Sequence, residues 1–175
     1  KVDLKSFRDK NYRQLGGRLE KILDGIRGIY ERGFWLELVT LLIPDFNDSE
    51  EELRDMTEFI ADIDPNIPWH VTAYHPDYKM DENRATSAKD LIRATKIGEE
   101  AGLNYIYPGN LPGRVGDREH TKCHNCGQIL VERRGFRVLS YNLEGNQCPA
   151  CRTEIPGVWE KPDRDRDFDY PRVLH

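Results

Sequence analysis

The 175-residue sequence has no cysteine to spare. All four, Cys123, Cys126, Cys148 and Cys151, fall in two Cys-x-x-Cys pairs, so no thiol is left for a second sulfur-based site. No apolar run approaches the roughly 20 residues that cross a bilayer, and no stretch reads as a signal peptide. Lysine and arginine (26) are outnumbered by aspartate and glutamate (31), giving a net charge of -5. With no basic stripe to meet phosphates, neither a nucleic-acid nor a membrane partner is expected. No segment repeats internally. What remains is the composition of a soluble chain, 38% hydrophobic and 33% charged, sized for one ordinary domain or one and a half small ones. Cysteines grouped for a metal suit a reducing compartment, so a cytoplasmic location is expected.

The cysteine pairs carry the strongest signal. Lys122-Cys123-His124-Asn125-Cys126-Gly127 is answered by Gln147-Cys148-Pro149-Ala150-Cys151-Arg152, with 21 residues between the hooks. Two thiolates three positions apart can turn inward on a tight knuckle, and two knuckles complete a tetrahedron around one metal ion. Four cysteines close the coordination shell, which favours structural zinc over hydrolysis at the metal. Iron in the same tetrahedron, acting as a rubredoxin-like electron carrier, is the alternative that this donor set allows. His124, inside the first knuckle, is placed to hydrogen-bond a cysteine sulfur.

Upstream, strands and helices alternate. Val2 to Phe7 reads as a strand and Asn11 to Gly17 as a polar link. Leu19, Ile22, Leu23, Ile26, Ile29 and Tyr30 have helical spacing, ended by Gly33. Phe34 to Ile43 reads as a strand covered on both faces. Ser49 and Glu52 form a capping box for the next helix, and Trp69 to His75 is a third strand. Ser87 and Asp90 start a helix stopped by Gly102, and Leu103 to Tyr107 is a fourth strand. The fold class is therefore α/β: a parallel sheet with right-handed crossovers, either a small open sheet or half of a barrel. Residues 111–121 read as a linker. Gln128 to Arg133 and Arg137 to Leu143 read as a hairpin between the knuckles, the zinc-ribbon arrangement. The expected organisation is a half barrel over 1–110, the linker, a four-cysteine zinc ribbon over 122–159 and a charged tail over 160–175.

In such sheets ligands meet the carboxyl ends of the strands. Asp3 and Lys5, one pleat apart, point to one face, where a lone charge pair is costly without a ligand or a neighbouring partner. His75 closes the third strand. Asn110 reads as turn chemistry, and His70 and His120 carry no assignment.

These residues bear a resemblance. Asp3-Leu4-Lys5, Leu42-Ile43-Pro44 with Asn47-Asp48-Ser49, and Tyr74-His75 resemble the second half of radical S-adenosylmethionine enzymes, the pyruvate formate-lyase activating enzyme being the nearest well-known type. Tyr107-Pro108-Gly109-Asn110, the two knuckles, Arg133-Arg134-Gly135-Phe136 and Ile155-Pro156-Gly157-Val158-Trp159 resemble the AmmeMemoRadiSam-system branch. The resemblance implies a partial (β/α) barrel with S-adenosylmethionine and a [4Fe-4S] cluster at its mouth, generating a 5′-deoxyadenosyl radical for hydrogen abstraction. Asp3 would help hold a monovalent cation, and Lys5 and His75 would contact S-adenosylmethionine. The family's Cys-x-x-x-Cys-x-x-Cys motif and its glycine-rich methionine-binding strand are absent. The chain is therefore expected to be the inactive carboxyl-terminal half of a longer enzyme. Its partner would be the missing amino-terminal half or another chain completing the barrel, and its unknown substrate would by analogy be a protein. A non-catalytic zinc-ribbon binding module is the competing expectation.

Overall fold

The computed structural model describes residues 1–77 and 83–159. The expected charged tail lies outside them. Four strands, β1 (Val2–Asp3), β2 (Leu38–Leu42), β3 (Trp69–Ala73) and β4 (Ile106–Gly109), form one parallel sheet in the order β1-β2-β3-β4. Helices α1 (Asp9–Gln14) and α2 (Leu19–Glu31) connect β1 to β2, α3 (Glu50–Ile63) connects β2 to β3, and α4 (Ala88–Glu100) connects β3 to β4. Sequential order with crossovers of one hand puts every helix on the same face.

Burial shows that face directly. Leu4, Leu38, Leu42, Trp69 and Val71 are fully buried and share a core with Ile26 of α2, Met56 and Ile60 of α3 and Leu91 of α4. The alternate positions, Val39, Leu41, His70 and Thr72, remain partly exposed on the other face. Polar groups inside the core are satisfied. Thr40 Oγ1 donates to Leu4 O (2.8 Å) and accepts from Trp69 Nε1 (2.9 Å). Gly98 of α4 lies where an added Cβ would come within 2.7 Å of Ile106 Cδ1 and 3.3 Å of Trp69, so glycine lets the helix approach the sheet.

Several element limits differ from the sequence expectations. The first strand pairs only at Val2–Asp3, because beyond Leu4 the Asn47 side chain takes the Leu41 carbonyl and the Ile43 N–H that would continue the ladder. The expected polar link after it contains α1. Phe34 and Trp35 are 65% and 42% exposed and stand outside β2. The fourth strand begins later and includes Pro108. Tyr105 O accepts from Trp69 N, so alternate residues bond to β3 and Pro108 faces the free edge, where a missing N–H is harmless. At α3, Ser49 Oγ accepts from Glu52 N (3.3 Å), but the Glu52 carboxylate goes to Ser6 Oγ (2.5 Å) and Phe7 N (2.7 Å), so the box is half made. At α4 the box is complete: Ser87 and Asp90 bond reciprocally, and Arg84 followed by Ser87 holds the Asp90 carboxyl well below its usual range.

After β4, a 3₁₀ turn (Gly116–Glu119) leads to a second, three-stranded antiparallel sheet, ordered β5 (Thr121–Lys122), β6 (Ile129–Arg134), β7 (Arg137–Tyr141). Among the described residues no helix is long and apolar enough to cross a membrane. Replacing the complete cap, Ser87→Ala, is expected to cost about 1 kcal/mol, measured as a lower urea midpoint with unchanged slope.

Candidate functional site

The four cysteine sulfurs all lie within 4.8 Å of one another. Cys123 Sγ is 3.6 Å from Cys151 Sγ, and Cys126 Sγ is 3.7 Å from Cys148 Sγ. A tetrahedron with Zn–S bonds of about 2.3 Å has edges of about 3.8 Å, whereas a disulfide needs about 2.05 Å. The spacing therefore fits one shared ion and excludes two bridges. Each pair sits on the same backbone device. The N–H of Cys123 donates to Gln128 O and that of Gly127 to Cys123 O; the N–H of Cys148 donates to Thr153 O and that of Arg152 to Cys148 O, all at 2.9 Å. Gly127 and Arg152 hold equivalent positions at φ 75° and 62°. Arg152 takes a conformation that favours glycine, tied down by its ion pair with Glu144 at 2.7 Å.

Cys151 and Cys126 are drawn in opposite directions. The Thr153 hydroxyl, 3.2 Å from Cys151 Sγ, pulls that thiol down to about 5. For Cys126 the Gln128 backbone N–H favours the thiolate, but the Cys151 sulfur, desolvation and the other two sulfurs outweigh it and push the thiol up to about 12. A divalent cation removes this conflict by charge. His124 does not face a sulfur with Nδ1, contrary to the sequence expectation: that nitrogen lies 2.7 Å from the Tyr105 hydroxyl.

The cysteine lobe packs on the sheet through Tyr105 and Tyr107, which share a core with Leu130, Val131, Leu143 and Ile155. On the helix-free face, Tyr107 stacks on His70 (5.2 Å, 30°), and its hydroxyl meets Thr121 Oγ1 (3.0 Å), which accepts from Arg133 Nη1 (2.6 Å). His70 Nε2 is 3.0 Å from the Glu37 carboxylate, which also receives Trp35 Nε1 and Lys1. His70, above all, followed by Trp35 and Lys1, draws the Glu37 carboxyl down to about 2 against desolvation. Sequence reasoning left this network unassigned. Its only signal was polar His70 and Thr72 alternating with apolar neighbours in β3.

At the carboxyl ends of the strands, Asp3 and Lys5 pair with each other (3.2 Å), both about half exposed. His75 lies two residues beyond β3, two strands from β1, and its contact is Asp77 (3.6 Å). Asn110 has φ 65°, as its turn reading expects, but its Nδ2 donates across to Ala73 O (3.1 Å) at the end of β3, a distant contact that a turn reading does not contain.

No protein-family model matches the chain. It is 32% identical over 157 residues to the uncharacterized protein MJ0808 of Methanocaldococcus jannaschii, an alignment covering 88% of this chain and 46% of that one. The chain thus spans about half the length of the curated relative it matches. Among solved structures it is similar to a domain of pyruvate-formate lyase-activating enzyme from Bacteroides vulgatus, with 25% identity, a TM-score of 0.54, and coverage of 62% of this chain and 65% of that one. This likeness supports a relationship to the radical S-adenosylmethionine activating enzymes.

Two outcomes follow. Cys148→Ser is expected to abolish stoichiometric metal binding and melt the antiparallel sheet while the helical signal persists, read by metal analysis and NMR; metal affinity falls with pH because the ligands must be thiolates. Glu37 is expected to titrate near 2. Its folded value lies below its ordinary 4.5, so the stability it contributes is full above about pH 4.5 and lost toward pH 2. A carbon-detected NMR titration should show this, and His70→Ala should move the midpoint upward.

Proposed function

We propose that the chain is the carboxyl-terminal part of a radical S-adenosylmethionine enzyme of the activating-enzyme kind, carrying an AmmeMemoRadiSam-type zinc-ribbon lobe. The observation that carries this reading is the likeness in fold to an activating-enzyme domain. It is supported by a sheet with helices on one face only, as in a section of barrel wall. The second reading, a binding module or a rubredoxin-like carrier, is not the one that this likeness favours.

The [4Fe-4S] cluster does not fit this chain. All four of its cysteines converge on one site, so no thiolate remains for a cluster. The relative is more than twice the length of its aligned segment, leaving room there for a cluster-bearing half. Zinc does fit. Cys123, Cys126, Cys148 and Cys151 would hold it in a closed shell, and its chemistry would be structural, on the order of 10 kcal/mol toward folding a lobe with so small a core.

S-adenosylmethionine fits the carboxyl edge in charge. When bound in the complete enzyme it supplies the 5′-deoxyadenosyl radical. Lys5 offers an ammonium to its carboxylate, Asp3 a carboxylate to a monovalent cation beside it, and His75 a ring nitrogen to its polar groups. Asp3 ends β1, and Lys5 and His75 stand two residues beyond β1 and β3. The substrate is set by surfaces outside this chain, and a protein substrate remains an analogy. The whole is expected to work in the cytoplasm, where a reduced cluster survives.

The test is reductive cleavage of S-adenosylmethionine. With dithionite under anaerobic conditions, the complete protein with its cluster reconstituted is expected to release methionine and 5′-deoxyadenosine, and the 175-residue chain neither. No cleavage by the cluster-loaded complete protein, or cleavage by the chain alone, would contradict the reading.

A further inference from the structure

Pairing between β1 and β2 stops early. The N–H groups of Val2 and Leu4 donate to Glu37 O (3.0 Å) and Val39 O (2.9 Å). A regular parallel ladder would next join Ser6 N to Leu41 O and Ile43 N to Ser6 O. In place of those bonds stands the side chain of Asn47, 1% exposed. Its Oδ1 accepts from Ile43 N (2.7 Å), while its Nδ2 donates to Leu41 O (2.9 Å) and Lys5 O (2.7 Å). On the other side the hydroxyl of Tyr12, 4% exposed, accepts the Lys5 N–H (2.9 Å). Both backbone polar groups of Lys5 therefore end on buried side chains from outside the ladder.

The side chains of Lys5 and Asp3 have no comparable support. They are 48% and 58% exposed and touch each other. Their place in space is set by their backbone, and past Leu4 that backbone is set by Asn47 and Tyr12. Asn47 suits the task chemically, since it must present an acceptor to one N–H and two donors to two carbonyls. A carboxylate would set an anion against both carbonyls, and Ala would leave all three groups to water or unpaired.

We infer that Asn47 and Tyr12 are positioning residues: Asn47 fills the gap where β1 parts from β2, Tyr12 holds the opposite side of the chain, and together they fix the backbone of Lys5 so that its ammonium stands beside Asp3 to receive the carboxylate of an amino-acid ligand and its accompanying cation. This rests on the proposed function in naming that ligand as S-adenosylmethionine. The pair binds; Asn47 and Tyr12 act through it.

Calorimetric titration of the complete protein with S-adenosylmethionine tests the inference. Asn47→Ala and Tyr12→Phe are each expected to weaken binding about 10- to 100-fold. Ile60→Val, a core change elsewhere that also costs stability, should leave it unchanged. In the 175-residue chain, Tyr12→Phe should speed hydrogen exchange at the Lys5 amide, with the rest of the sheet unaltered. If the unaltered complete protein binds and both variants bind within about twofold of it, the positioning role is overturned while the proposed function stands. If the unaltered protein does not bind, the proposed function falls, and the inference with it.

Discussion

One constraint organises the structure: four parallel strands in sequential order, joined by crossovers of one hand, must carry all their helices on one face. That face is a complete apolar core, with Trp69, Leu38, Leu42 and Leu53 fully buried. Among the described residues the opposite face carries no helix, and it is polar where it matters, with Asp3, Lys5, His70, Thr72 and Tyr107 on or beside it. A parallel sheet is ordinarily covered on both sides. The mixture of charged and half-exposed groups on this one suits the wall of a solvated cavity better than a second dry core.

The cysteine lobe fits the same logic at the far edge. It does not hang from a flexible tether; it packs on β4 through Tyr105 and Tyr107 and carries Thr121 and Arg133 onto the helix-free face. Its own core of Leu130, Val131, Leu143 and Ile155 is small, so its order depends on bringing four sulfurs together without repulsion. A metal held at the knuckles would stabilise one flank of the polar face, although it would lie outside the chemistry proposed there.

How much of this was legible in sequence depends on how local the cause was. The cysteine tetrad was readable because spacing alone determines a knuckle. Ser87 with Asp90, Gly33 and Gly102 announced helix ends, because caps and left-handed stops are set by a few adjacent residues. The limits of strands were less readable. Phe34 and Trp35 looked like strand by hydrophobicity yet lie exposed, and the fourth strand, expected to end at Tyr107, runs on through Pro108 because an edge strand accepts a proline. Glu52 was read as a capping residue, but a buried Ser6 from another element claimed its carboxylate. Asn47 and the Glu37–His70 pair depend on contacts across more than 30 positions, which no periodicity encodes. The placement of His75 beside Asp3 and Lys5 rests on resemblance, and its neighbour in the structure is Asp77.

The proposed function requires the four-stranded sheet to be one section of a larger parallel wall, continued beyond β1. Val2 and Leu4 point their N–H groups at β2, so Asp3 directs its own toward the open edge. Hydrogen exchange at the Asp3 amide, compared between the 175-residue chain and the complete protein, tests this most directly. The account predicts fast exchange in the chain alone and strong protection in the complete protein, where a parallel neighbour accepts that N–H. Equally fast exchange in both would contradict it.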